Sequence, residues 1–253
     1  MREFAEKEKK FLDLVATTYQ LTGSEQNEVI RTLAFRTFRP FMRPDGVALS
    51  LGYADGFETR FLAGELSRVD VVDGSLTFIE EGRKQGYANV DFHYALFEEF
   101  TTEQRYDYVF ANYVMEHVDD VSVLLEMVRG VLKPDGLFFV VVPNARALSR
   151  QLAVHMRLLP QLKALTPNDI DHGHRRVYDR CALDRDLEAG GFEAIAQGGL
   201  MLKFLADFQM DRLFHDKILG EQHVDGLYKL GLEYPDLAGS LFSVCRSKRE
   251  AGR

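Results

Sequence analysis

The residues able to do chemistry fall in a few short stretches. An apolar run, Val47-Ala48-Leu49-Ser50-Leu51, ends in Gly52-Tyr53-Ala54-Asp55-Gly56, and a second, Val69-Asp70-Val71-Val72, ends in Asp73-Gly74. A glycine loop that closes a strand and opens a helix is a place where backbone can approach a ligand. The pyrophosphate of a dinucleotide asks for G-x-G-x-x-G, whereas here the small residues are Gly52, Ala54 and Gly56, and Phe57 stands at the third glycine. The dinucleotide fit is poor. Asp73 follows Gly56 by 17 residues at a strand end, where a carboxylate can accept both ribose hydroxyl protons of an adenosine. A nucleoside without pyrophosphate fits better. Further along, Glu116-His117 follows the apolar run Tyr106 to Asn112, and Gly173-His174-Arg175-Arg176-Val177-Tyr178 brings a second imidazole, two guanidiniums and a phenol. Histidine titrates near neutrality and suits removal of a hydroxyl proton. His117 is the first candidate for that work, His174 the second, and Tyr178 an orienting hydroxyl.

The elements that must position these residues alternate. Residues 1 to 44 read as helical, with a turn at Thr22-Gly23-Ser24 and prolines 40 and 44 bracketing the end. Strands are expected at 47–51, 69–72, 89–93, 106–112, 137–142, 192–196 and 241–245, with helices from Phe57, over 121–132 and over 182–189. Such alternation implies an α/β fold with a doubly wound, mostly parallel sheet. The stretch 144–180, with a helix over 148–159 and a loop over 169–178, is too long for a plain connection, and 200–239 is a second, mostly helical insertion. The division expected is therefore a single domain: a helical cap (1–44), an α/β core (45–143), and the two helical insertions; the family resemblance given below implies that the core binds a cofactor and that the three helical segments roof an acceptor pocket.

Composition excludes several classes. The 253 residues carry 31 lysines and arginines against 39 aspartates and glutamates, a net charge of −8, so no global positive field attracts a polyanion and no nucleic-acid partner is expected. No run approaches the ~18 apolar residues of a membrane span. The N-terminal stretch mixes charges of both signs and does not read as a secretory leader, so a cytoplasmic setting is expected. Cys181 and Cys245 are too few and too far apart for a disulfide framework or a cysteine zinc site.

Taken in order, Leu51 to Gly56, Asp73, Tyr106 to Asn112 running into Val114-Met115-Glu116-His117-Val118, Leu132-Lys133-Pro134-Asp135-Gly136, and Val142-Pro143-Asn144 resemble the class I S-adenosylmethionine-dependent methyltransferases. The resemblance covers roughly residues 45 to 200, and the segment 173–178 is similar to one in a bacterial small-molecule branch. It implies a seven-stranded Rossmann-like sheet with the last strand antiparallel, S-adenosylmethionine as cofactor and S-adenosylhomocysteine as product. Methyl transfer to an oxygen or nitrogen of a small molecule, a natural product or glycan intermediate, is the activity it implies. By the same resemblance Gly52, Tyr53, Ala54 and Gly56 pass the backbone against the methionine part, Asp73 and Gly74 hold the ribose, Leu96 and Phe97 flank the adenine, Asn112 offers its backbone to the ammonium, and His117 borders the cofactor. Two positions depart from it: Ser50 stands where an acidic residue is usual, and Ala54 where a glycine is.

Other readings compete. A macromolecule-modifying methyltransferase would share every cofactor motif, and a silent cofactor-binding protein is kept open by Ser50 and Ala54. Glu116-His117 is also similar to the metal-binding Glu-x-x-Glu-His segment of small-RNA 2′-O-methyltransferases, but Tyr113 replaces the first glutamate and no second histidine stands at matching spacing, so no metal is expected. His172, His174, Arg175 and Arg176 are either a solvated loop or the lining of an anionic acceptor site. Phe204, Phe208, Met210 and Phe214 read as helix core rather than a substrate box. The sequence leaves monomer and homodimer open.

Overall fold

The computed structural model describes residues 2–21 and 24–248. In chain order these form α1 (Arg2–Leu21), α2 (Glu25–Phe38), β1 (Val47–Leu51), α3 (Phe57–Glu65), β2 (Arg68–Asp73), α4 (Leu76–Lys84), β3 (Val90–Tyr94) and β4 (Tyr106–Asn112). There follow α5 (Val121–Val131), β5 (Leu132–Pro143), α6 (Leu148–His155), α7 (Pro167–Asp171), α8 (Arg180–Ala189), β6 (Phe192–Leu202), α9 (Asp207–His215), α10 (Glu221–Glu233) and β7 (Ala238–Ser247). The turn expected at Thr22-Gly23 lies outside the described residues, while Ser24 caps α2 by accepting from the Asn27 amide at 3.2 Å.

All seven strands join one sheet in the order β3-β2-β1-β4-β5-β7-β6, parallel except for β7, which runs antiparallel to both β5 and β6. The central strands are apolar on both faces because helices cover both. One face packs Ile30, Leu33 and Phe38 of α2 with Phe110, Phe139, Met210, Phe214 and Tyr228; the other packs Leu124, Leu125 and Val128 of α5 and Leu183 and Leu187 of α8 onto Val109, Phe138 and Val140. Asp120 starts α5 and Asp179 starts α8, each accepting from an amide two or three residues on.

Several boundaries differ from expectation for readable reasons. β6 runs six residues beyond Ala196, through Gly198 and Gly199. A Cβ at Gly199 would lie 2.4 Å from that of Ala238 and 2.7 Å from the Gly231 carbonyl of α10, so the pair reads as a turn in sequence but is a strand crossed at close range by a helix. β5 begins at Leu132, and Lys133 to Gly136 form a ladder irregularity between the Tyr106 and Tyr108 pairings. The helix from Leu148 stops at His155, and the short α7, closed by a Thr166/Asp169 capping box, enters the expected loop.

Candidate active site

The carboxyl ends of β1, β2 and β4 open on a cleft with about 860 Å³ of empty space, lined by Gly52, Ala54, Asp73, Gly74, Leu96, Phe97 and His117 together with Glu8, Leu12 and Val15 of α1. Open α/β sheets bind ligands at this edge. Of the three roofing segments expected, only the N-terminal one contributes to the lining among the described residues; none of 144–180 or 200–239 does. Instead α9 and α10 pack against α2 and β6, and Met210 and Phe214 are core, with Phe208 74% exposed.

Asp73 is the hub of the cofactor side. Its Oδ2 accepts the Tyr53 amide at 2.8 Å and its Oδ1 the Ser75 amide at 2.7 Å. Burial, aided by Asp13, pushes its carboxyl up to about 6 against the pull of those amides. A carboxylate has about four acceptor sites, so capacity remains for the hydroxyls of a ribose. Gly52 takes a left-handed φ of 86°, and a Cβ there would meet nothing nearer than 4.0 Å, so its backbone borders open cleft. Gly56 serves another need: at φ 75° it caps α3, and a Cβ would strike the Tyr53 hydroxyl at 2.6 Å and its ring at 2.8 Å, so its bareness accommodates that side chain rather than a ligand. Tyr53 itself is buried among Phe78 and Phe92, and only its amide turns to Asp73.

The departure at Ser50 acquires a partner that the sequence did not advertise. Glu58, in the first turn of α3, accepts from Ser50 Oγ at 2.6 Å and from Asn112 Nδ2 at 2.5 Å, and burial pushes its carboxyl up to about 7. A carboxylate missing from β1 is thus supplied from α3, eight residues along. Neither Glu58 nor Asn112 lines the main cleft; they sit beside it, next to Tyr113, which does. The signal available in sequence was an unmatched acid just after the glycine loop.

On the other side of the cleft, His117 lies edge-on to His174, ring centres 4.7 Å apart, beside the fully buried Glu116. Burial and the neighbouring His174 draw His117 down to about 3, so it is neutral at physiological pH. His174 moves up despite burial, because Asp169 lies 3.2 Å from its Nδ1 and Glu116 adds negative charge. Burial raises Glu116 to about 7. Tyr178 is placed apart: it is core between α5 and α8, and among the described residues it has no part in the cleft lining. The two arginines are structural. Arg176 donates to the carbonyls of Met115, Val118 and Asp119, and Arg175 bridges Glu8 of α1 at 2.6 Å and Asp119 at 2.9 Å, so neither waits for an anionic acceptor. The 172–178 segment therefore braces the His117 wall from behind.

A sheet in this order, with a buried aspartate ending its second strand and glycine backbone bordering the cleft, is that of the class I S-adenosylmethionine-dependent methyltransferases. The residues present fit that cofactor: acceptor capacity at Asp73, apolar walls at Leu96 and Phe97, and an unobstructed Gly52. The Methyltransferase domain family matches residues 24–197, and the chain belongs to it. A ubiquinone biosynthesis O-methyltransferase of Bradyrhizobium sp. (strain ORS 278) is 29% identical over 119 residues, covering 43% of this chain and 47% of the relative. The chain's match thus spans about half the length of that relative. Among solved structures, the DhpI-SAH complex matches with a TM-score of 0.62 at 19% identity, over 97% of this chain and 98% of that one. A Burkholderia thailandensis 1,6-didemethyltoxoflavin-N1-methyltransferase with bound 1,6-didemethyltoxoflavin and S-adenosylhomocysteine gives 0.56 at 18% identity, over 87% and 78%. At these identities the structures establish the fold. No helix among the described residues is long and apolar enough to cross a membrane.

Proposed function

We propose that the protein transfers the methyl group of S-adenosylmethionine to an oxygen or nitrogen of a small molecule in the cytosol. The observation carrying this reading is a single cleft that joins Asp73, Leu96 and Phe97 at one end to His117 at the other. S-Adenosylmethionine supplies an activated methyl on a sulfonium, so the protein's task is alignment and water exclusion. In this reading Asp73 accepts the ribose hydroxyls, Leu96 and Phe97 sandwich the adenine, the Gly52 and Ala54 backbone follows the methionine chain, and the backbone at the end of β4 meets its ammonium group, with Glu58 behind it holding the Asn112 side chain. Helix α1 closes the cleft, held by Lys9 to Glu99 at 2.8 Å, Glu8 to Arg175 at 2.6 Å and Asp13 to Ser75 at 2.6 Å.

The acceptor meets a neutral His117. A base is most effective with a pKa near the working pH, and about 3 is far below it, so His117 acting alone is a weak proton acceptor. Tyr178 is not placed to orient an acceptor. Glu58 sets a carboxyl beside Ser50, behind the cleft wall, where β1 itself has none, and this weighs against the silent-protein reading. The relatives' names direct the first acceptor panel: phenolic quinone precursors for oxygen, and heterocyclic ring nitrogens. Calorimetry should register S-adenosylmethionine and S-adenosylhomocysteine but not NAD, and labelled methyl should then pass to a panel member. Binding of NAD in their place would overturn the reading.

A further inference from the structure

We propose that Glu116, His117 and His174 form a binding site for one divalent transition-metal ion of the zinc, cobalt or manganese kind at the acceptor end of the cleft. Each offers one ligand atom, and the three atoms lie within 4.8 Å of one another. Glu116 is the independent witness. It is fully buried, and neither carboxylate oxygen has a hydrogen-bond partner. An unpaired carboxylate away from water is among the costliest arrangements a fold can hold, and a cation between it and two imidazoles removes the cost.

Ligating histidines usually have a carboxylate set against the ring, which orients it and raises its basicity. Asp169 stands in that place for His174, 3.2 Å from its Nδ1. Asp169 is in turn fixed by Thr166, amide and hydroxyl both at 2.8 Å, and by Arg150 at 3.2 Å. His117 stands edge-on to the His174 ring, with centres 4.7 Å apart, and brings one ring nitrogen toward the same point. Two imidazoles and one carboxylate suit borderline divalent ions rather than magnesium or calcium, which prefer all-oxygen shells. Zinc bonds of ~2.1 Å hold tetrahedral donors about 3.4 Å apart, so loading draws the three ligands inward by roughly 1 Å.

His117 lines the cleft, so the open coordination positions face the acceptor. This part rests on the methyl-transfer reading; the metal site does not. A bound acceptor hydroxyl loses its proton to water more easily on the ion. The resulting oxygen then forms the new O–C bond as the C–S bond breaks, and the electron pair goes to sulfur, which leaves as a neutral thioether. No base at His117 is then needed. The spacing Glu116-His117 to His174 hid the site in sequence, since 56 residues separate what the fold brings into contact.

The test uses chelator-stripped full-length protein. Titration with Co²⁺ should give visible ligand-field absorption saturating at one ion per chain, reversed by Zn²⁺, with Mg²⁺ inert. Glu116→Gln and His174→Gln should each weaken Co²⁺ binding by about 100-fold, and Asp169→Asn by about 10-fold or more. X-ray absorption on zinc-loaded wild type should record imidazole nitrogen in the first shell, a readout that holds even where a variant fails to fold. Absence of stoichiometric binding, an all-oxygen shell, or unaltered affinity in folded Glu116 and His174 variants would overturn the site. S-Adenosylhomocysteine binding on the same stripped sample separates the two ideas: retained with no metal binding, it sinks the ion alone; lost while cobalt still binds, it sinks the methyltransferase reading alone.

Discussion

The two ends of the cleft are built on opposite principles. At the cofactor end Asp73 has both oxygens engaged by backbone amides, so the fold itself holds the loop that greets the ligand. At the acceptor end Glu116 is as deeply buried and has no partner. The first end is finished before ligand arrives; the second is completed by what binds there. Removing a side chain should therefore damage one end and relieve the other.

The largest effect is expected at Asp73. Asp73→Ala takes away the acceptor for two ribose hydroxyls, worth about 3 kcal/mol together for bonds to a charged group, or roughly 100-fold in cofactor affinity. It also orphans the amides of Tyr53 and Ser75, so a denaturation midpoint should fall as well. Unchanged affinity in a folded variant would remove Asp73 from the site.

Glu116 should behave in the reverse sense. In metal-free protein, Glu116→Met replaces an unpaired charge with a side chain of similar volume and should stabilise the fold by about 1–4 kcal/mol, measured in urea. The pH dependence has a definite sign. A folded pKa raised to about 7 from 4.5 favours the protonated form, so the stability Glu116 contributes is complete below about 4.5 and is lost as pH rises through 7, by about 3 kcal/mol. His174, also raised, acts in the same direction. Glu116→Gln should reduce this slope without abolishing it, because Glu58, Asp73 and His174 are raised as well, and saturating zinc should reduce it too; a slope as steep as that of the wild type contradicts the assignment.

A smaller effect separates the ends by titration of binding. Ribose hydroxyls need the ionised Asp73, whose pKa is about 6, so cofactor affinity should be full above pH 7 and about tenfold weaker at pH 5. Asp73→Asn should abolish the dependence along with most of the affinity. Since Asp13 helps to raise Asp73, Asp13→Asn should move the midpoint toward lower pH.

The same contrast explains what could be read from the chain. The cofactor end sits on strand ends and the loop after β1, local signals that Val47 to Gly56 and Asp73 display in short runs; the doubly wound, mostly parallel sheet follows from strands alternating with helices, and the antiparallel last strand from the family resemblance. The acceptor end depends on residues far apart in sequence: Glu116 with His174, Glu8 with Arg175. Periodicity carries no trace of such pairings. Tyr178 was misplaced because a polar residue beside histidine and arginine looks like site chemistry, yet its ring is needed between α5 and α8. The extension of β6 was hidden by Gly198-Gly199, whose missing side chains make room for neighbours rather than a turn.

Ala54 offers the finest test of how finished the cofactor end is. It holds a φ of 49°, left-handed, where an alanine pays about 1–2 kcal/mol that glycine does not. Ala54→Gly relieves that strain but frees the unfolded chain, a loss of about 0.4–1 kcal/mol. The balance is a gain of about 0.5–1 kcal/mol in stability, readable as a small rise in midpoint. Because the amides of Tyr53 and Ser75 still hold Asp73 in the variant, cofactor affinity should change less than threefold. Ala54→Val should cost stability instead, since a β-branched residue tolerates this backbone least. If glycine lowered stability or improved binding tenfold, the loop would not be preformed, and the cofactor end would resemble its counterpart in waiting for a ligand to set its shape.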